Sequence, residues 1–102
     1  MAPNVVWSAE AIRDLADAIA DAGLGADAAR LDDGIQAATA SILAFPAIGR
    51  PGRIMGTREQ LLQPLPFILI YRFDGQQLVL LRLYHTSRQW PPAKPKSPKP
   101  KA

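Results

Sequence analysis

The stretch Phe67-Ile68-Leu69-Ile70-Tyr71-Arg72-Phe73 constrains this chain more than any other. Alternate residues of an extended segment point to opposite faces, and here both faces are apolar or aromatic. Such a strand must be covered on both sides, so it is predicted to lie centrally in a sheet. Asp74-Gly75 comes next as a two-residue hairpin signal, and Leu78 to His85 supplies the returning strand. A turn that tight pairs Phe73 with Gln76, Tyr71 with Leu78, Leu69 with Leu80 and Phe67 with Arg82. Arg82 and Tyr84 then share one face, with Leu81, Leu83 and His85 on the other. A one-residue bulge would exchange the two sets.

Upstream the period changes. Asn4-Val5-Val6-Trp7 is a short β-prone segment, and Ser8 is a good helix N-cap with Glu10 in the first turn. The helix carries Ile12, Leu15 and Ile19 on one face, and Gly23 and Gly25 end it. A second helix begins near Ala26 or Asp27. Its stripe is Leu31, Ile35, Ile42 and Phe45 with Ala38 in the gap, and Pro46 stops it. Two helices with one apolar stripe each predict an antiparallel hairpin, whose many alanines allow close packing. Gly49-Arg50-Pro51-Gly52 reads as a loop, and Arg53 to Leu62 as a weaker strand interrupted by Gly56. The class is α+β, in the order β-α-α-β-β-β.

A chain of 102 residues is one domain by size, and 48% hydrophobic with 21% charged residues is ordinary for a globular protein. With no cysteine and one histidine, His85, neither a disulfide, a thiolate metal site nor a multi-histidine site is expected. No small-molecule cofactor is expected either. The longest apolar run is far too short to cross a membrane, and the N-terminus lacks a basic start and an apolar signal core. A cytoplasmic protein without membrane contact is expected.

The net charge of +3 conceals a split. Residues 1–45 hold seven acids against Arg13 and Arg30, leaving −5. Residues 46–102 hold six arginines and four lysines against Glu59 and Asp74, leaving +8. Positive potential on one part of the surface favours an acidic or polyanionic partner. Every lysine lies after Trp90, where proline and lysine alternate. That segment cannot form a core and is expected to be an extended, solvated tail. The domain division is therefore 1–91 for the folded unit and 92–102 for the tail.

The pieces, in order, resemble the RelE/ParE superfamily of type II toxin–antitoxin toxins. Val6-Trp7-Ser8-Ala9-Glu10-Ala11 with Asp14-Leu15 is similar to the first strand and helix of that family. Phe45-Pro46 followed by Gly49-Arg50 resembles the exit of its second helix, and Gly56-Thr57-Arg58-Glu59 the start of its central hairpin region. Ile70-Tyr71-Arg72 and Leu81-Arg82-Leu83-Tyr84-His85 resemble its last two strands. His85-Thr86-Ser87-Arg88-Gln89-Trp90-Pro91 resembles the closing segment of its plasmid-stabilisation members. The likeness runs from about residue 5 to residue 91.

The resemblance implies a helical hairpin packed on a small curved antiparallel sheet. It implies a growth-inhibiting toxin neutralised by a cognate antitoxin protein. The ParE-like reading has DNA gyrase as target without catalysis; the alternative is a RelE-like endonuclease cutting messenger RNA on the ribosome. RNA cleavage at a 2′-hydroxyl needs cations around the phosphate and groups that take and give a proton. If the chain is a nuclease, Arg58, Arg82, Tyr84, His85 and Arg88 are its catalytic candidates, with His85 foremost because histidine as a residue type can exchange protons near neutral pH. Target binding points to Arg50, Arg53, Arg58, Arg88 and Trp90. Ribosome-dependent members carry a basic residue before the central strand, where this chain reads Pro66-Phe67-Ile68, and a lysine-rich strand, which it lacks. Arginine keeps its proton and is a poor general base. The departures favour the ParE-like reading.

Overall fold

The computed structural model describes residues 4–22 and 26–87. Its elements run β1 (Asn4–Trp7), α1 (Ala9–Ala22), α2 (Ala26–Ala44), β2 (Arg50–Pro51), β3 (Arg58–Leu61), β4 (Phe67–Phe73) and β5 (Gln77–His85). The strands form one sheet in the order β1-β5-β4-β3-β2. The doubly apolar β4 lies at its centre, flanked by β5 and β3. The helices pack on one face, where Leu31, Ile35, Ala38 and Ile42 of α2 meet Leu69, Tyr71, Leu78, Leu80 and Leu83. The two-helix α+β architecture is as predicted.

Two features of the sheet differ from the expected antiparallel meander. β1 joins parallel to β5, from Asn4 opposite Gln77 to Trp7 opposite Leu80, so the sheet is mixed at that edge. Four residues whose partner lies some seventy positions away carry no local sign of their direction. At the other edge, the segment read as a loop contains β2, which pairs antiparallel with β3 through Arg50–Glu59 and Pro51–Arg58. Pro51 has no N–H to donate, which confines such a strand to an edge.

The predicted β4–β5 register is corrected. Phe73 pairs with Leu78 and Tyr71 with Leu80. After an irregularity at Ile70/Tyr71, Ile70 pairs with Arg82, Leu69 with Leu83 and Phe67 with His85. The turn is wider than two residues because Asp74 Oδ1 accepts from the amides of Gln76 at 2.9 Å and Gln77 at 2.7 Å. These bonds hold its carboxyl below the usual carboxylate range, and Gly75 takes the left-handed conformation the turn needs, at φ 96°. The irregularity inserts Leu81. Leu80 and Leu83 both reach the helical core, while Leu81 packs with Ile68, Ile70 and Tyr84 in a second cluster. Leu81 and Leu83 therefore do not share a face.

Ser8 caps α1 as predicted, its Oγ accepting from the amide of Ala11 at 2.9 Å. The same hydroxyl donates to the carbonyl of Leu81 at 2.8 Å, and Ser8 N–H donates to the carbonyl of Leu80 at 2.9 Å. The stripe of α1 is rotated from the predicted one: Ala11 is fully buried, Leu15, Ala18 and Ile19 pack against the core between α2 and the sheet, and Ile12 is 55% exposed. A buried alanine lets the helix approach the sheet more closely than isoleucine would. In α2 the stripe ends at Ile42. Phe45 falls past the last helical residue, Ala44, and is 69% exposed. Gly23 and Gly25, read as the end of α1, lie outside the described residues.

Tyr71, fully buried, fastens the connection from α2 to the sheet. Its hydroxyl donates to the Pro46 carbonyl at 2.7 Å and accepts from the Gly49 amide at 3.0 Å. A Cβ on Gly49 would lie 2.7 Å from that oxygen, so only glycine fits. Burial raises the phenol above its ordinary value of 10.0. Tyr71→Phe leaves a buried amide unsatisfied, and we expect a loss of about 1–3 kcal/mol, read as a lower urea midpoint at unchanged slope. The raised phenol contributes stability that is complete below pH 10 and lost as pH climbs beyond it. The stability gap between wild type and Tyr71→Phe should therefore narrow above pH 10.

Candidate functional site

The candidate residues fall at two ends of the sheet. At the first end, Glu59 of β3 has a side chain only 1% exposed. Arg50 donates to its Oε1 through Nε at 3.3 Å and Nη2 at 3.0 Å. The Arg53 amide donates to Oε2 at 3.1 Å, and the Arg53 guanidinium lies 3.7 Å from the same oxygen. A buried carboxylate needs such donors to offset its lost hydration. Glu59 thereby fixes β2 and the turn after it.

That turn closes on itself: Gly52 N–H donates to the Thr57 carbonyl at 2.7 Å, and the amide and hydroxyl of Thr57 donate to the Ile54 carbonyl. Gly56 supplies a left-handed φ of 86°. Ile54 and Met55 are held outward at the apex, with Met55 96% exposed. Arg58 Nη1 donates to the Gly49 carbonyl at 2.7 Å, joining β3 to the α2–β2 connection. A hollow of about 250 Å³ lies between Pro46 and Ala47 on one side, Gly56 and Arg58 on another, and Tyr71 to Phe73. Phe45 and Ile48, both exposed, bracket its first wall in sequence. The result is a tip with four exposed large apolar side chains among Arg50, Arg53, Arg58 and Arg72. Patches of this kind mark interaction sites more often than inert surface.

At the second end, Asp14 of α1 receives Arg82 Nε at 2.7 Å and Nη2 at 3.1 Å, and also the Leu83 amide at 2.9 Å. The paired carboxylate raises the Arg82 guanidinium further above its ordinary value. The guanidinium lies 4.7 Å from the centre of the Tyr84 ring, within cation–π range. His85 stacks edge-on against Phe67 at 5.2 Å between centroids. Its Nδ1 accepts the Ser87 amide at 3.1 Å, with Ser87 Oγ at 2.8 Å. Since Nδ1 is the acceptor, the proton of the neutral ring sits on Nε2. Arg82, Tyr84 and His85 line a groove of about 670 Å³ between the helices and the end of β5.

Arg58 stands opposite Tyr71, whereas Tyr84 and His85 stand opposite Ile68 and Phe67. Four strand positions separate the two levels, roughly 13 Å along the sheet. Arg58 is thus apart from Tyr84 and His85, while Arg82, opposite Ile70 on the other side of β4, is bonded to Asp14 of α1; Arg50, Arg53 and Arg58 form a group of their own. Arg88 and Trp90 lie outside the described residues. Four features escaped the sequence reading: the Glu59 clamp, the apex of Ile54 and Met55, the exposure of Phe45, and the Asp14–Arg82 pair. Glu59 carried one signal, as one of two acids within the basic half.

A family model described as the ParE toxin of type II toxin–antitoxin systems, parDE, matches residues 5–90. The chain belongs to the ParE toxin family. Y4kP of Sinorhizobium fredii (strain NBRC 101917 / NGR234), a protein that bears a toxin's name, is 41% identical over 64 residues. The match covers 63% of this ParE-family chain and 66% of that relative, just under two thirds of its length. The fold is similar to a chromosomal ParDE system of P. aeruginosa, with a TM-score of 0.65 and 27% identity over 82% of this chain and 96% of that one. It is also similar to the RelBE2 complex of Mycobacterium tuberculosis, with a TM-score of 0.60 and 24% identity over 83% and 99% of the two chains. YafQ of E. coli strain BL21(DE3) shares the fold at a TM-score of 0.61 and 20% identity, over 83% and 94%.

In this ParE-family chain the shape of the tip depends on the charge of Glu59. Glu59→Gln keeps the side-chain volume but replaces charge-assisted bonds with neutral ones. We expect a loss of about 2 kcal/mol. Hydrogen exchange at the Arg53 amide should quicken more than at the core amides of β4. Equal protection in both proteins would show that Glu59 does not hold the turn.

Proposed function

We propose that this ParE-family chain is the toxin of a type II toxin–antitoxin pair, inhibiting growth by binding DNA gyrase rather than by catalysis, and held inactive by a cognate antitoxin. The observation that carries the proposal is the tip: exposed Phe45, Ile48, Ile54 and Met55 set among arginines on a turn fixed from within by Glu59. A rigid apolar centre ringed by cations suits an acidic protein surface, since apolar burial supplies affinity and charge supplies steering. The groups a nuclease would need are otherwise engaged. Arg82 is bonded to Asp14, and the basic nitrogen of His85 receives Ser87. A general base needs a free lone pair within reach of its proton. What speaks for the alternative, messenger RNA cleavage on the ribosome, is that Arg82, Tyr84 and His85 share one groove.

The antitoxin is inferred from similar proteins, since the RelBE2 and DinJ–YafQ structures are toxin–antitoxin complexes. The charge split of the chain agrees with an acidic neutralising segment. A gyrase target places the chain in the cytoplasm, and no described helix is long and apolar enough to cross a membrane.

Purified toxin at micromolar concentration should block supercoiling by gyrase. Met55→Glu and Arg72→Glu should each weaken that inhibition by about tenfold, corresponding to about 1.4 kcal/mol, while His85→Gln leaves it intact. Supercoiling that proceeds undisturbed would refute the target. New 5′ ends on translated messages that vanish in His85→Gln would establish the nuclease instead.

A further inference from the structure

The groove at the second end has no part in the proposed docking face, yet its chemistry is specific. It is lined by the acids Asp17 and Asp21 of α1 and by the apolar side chains of Leu31, Leu65, Phe67 and Leu83. Arg82, also in the wall, is matched by Asp14, so Asp17 and Asp21 stand against Arg30 alone among the other charged lining residues. At about 670 Å³ the space falls within the range of sites that enclose a sizeable ligand. Ser87, the last described residue, is itself part of the lining.

The segment after Ser87 is complementary to this groove in three respects. Residues 88–102 carry Arg88, Lys94, Lys96, Lys99 and Lys101 and no acid. Their single aromatic, Trp90, is the side chain with the most surface to gain from an apolar slot. Trp90 comes three residues after a lining residue, and three residues span at most about 11 Å. The groove is therefore within reach of the Trp90 ring, at an effective concentration no free partner matches. Five prolines between positions 91 and 100 favour an extended backbone, which loses little entropy on docking.

We propose that this groove is the seat of the chain's own residues 88–102. The Trp90 ring packs against Leu65, Phe67 and Leu83, and the lysines lie along Asp17 and Asp21. The segment is then an intramolecular competitor rather than a solubilising tail: any outside partner that takes this groove must displace it. The proposal stands apart from the gyrase reading, since it uses neither the tip nor a target.

The full-length chain tests it by amide NMR. Trp90→Ala, and separately reversal of the four lysines (K94E, K96E, K99E and K101E together), should each shift the amide signals of Asp17, Asp21, Leu65 and Leu83. The signals of Met55 and Arg58 at the tip should stay in place. Salt at about 1 M, with a screening length of about 3 Å, should reproduce the lysine-reversal spectrum. The chain has no cysteine, so Ala102→Cys offers a single site for a nitroxide label. Broadening concentrated on Asp17 and Asp21, and lost on adding Trp90→Ala, is the expected result. Groove signals that stay put in both variants, or broadening that is uniform or centred on the tip, would overturn the proposal.

Discussion

The pairing of β4 with β5, and the irregularity within it, decides what the rest of this structure can be. Up to Tyr71 opposite Leu80 the two strands alternate regularly, and Leu78 and Leu80 enter the helical core. Inserting Leu81 shifts every later residue of β5 by one position. Leu83 then fills the core beneath the helices, and Tyr84 moves to the second cluster with Ile68 and Ile70. The parallel partner β1 ends at the same place, opposite Leu80. Beyond it the outer edge of β5 would expose unpaired backbone, and α1 supplies the missing partners. Ser8 Oγ donates to the Leu81 carbonyl, and Asp14 accepts the Leu83 amide. Helix, bulge and strand edge are a single arrangement, because each satisfies polar groups the others leave open.

The division of charge along the chain becomes, in three dimensions, a set of short local pairings. Asp14 from the acidic half takes Arg82 from the basic half, which fastens α1 to the sheet. Glu59, an acid within the basic half, takes Arg50 and Arg53. The two pairings are not equivalent. Glu59 is buried and would be costly to leave alone, whereas Arg50 is 62% exposed and reaches it from the solvent side. The arginines of the tip are therefore structural at their inner ends and available at their outer surfaces. Long guanidinium side chains suit that double use, with several donors spread over a planar head.

How much of this was legible from residues alone depends on the range of the interactions involved. The bounds of β4 were readable because its apolar run is continuous and Asp74-Gly75 closes it. The cap at Ser8 and the end of α2 before Pro46 were readable for the same local reason. The register was not, since it turns on two side-chain bonds from Asp74 and on a bulge whose compensation comes from Asp14, nearly seventy residues away. Ile12 and Phe45 were misplaced because hydrophobicity alone does not say which small residue a helix will press against its sheet. The family resemblance was carried by order and spacing, which survive such errors. The site was less legible: candidates grouped by chemistry, such as Arg58 and His85, stand opposite Tyr71 and Phe67, four positions apart along β4, and no sequence spacing shows that.

That separation bears on mechanism. Catalysis of RNA cleavage asks for cation, acid and base within a few ångströms of one phosphate. Here the largest group of arginines stands at one end of the sheet, while the His85 and Tyr84 side chains stand at the other. Nor is the second end merely short of cations, because Arg82 is already neutralised by Asp14 and the His85 ring is turned so that its basic nitrogen faces Ser87. Bringing these groups to bear on a substrate would require breaking bonds that hold α1 and the end of β5 in place. The tip makes no such demand. Its apolar side chains already face outward, its turn is closed by its own hydrogen bonds, and its charge is supplied by residues whose inner contacts keep them in position. A chain built this way can bind a partner at the tip without rearranging.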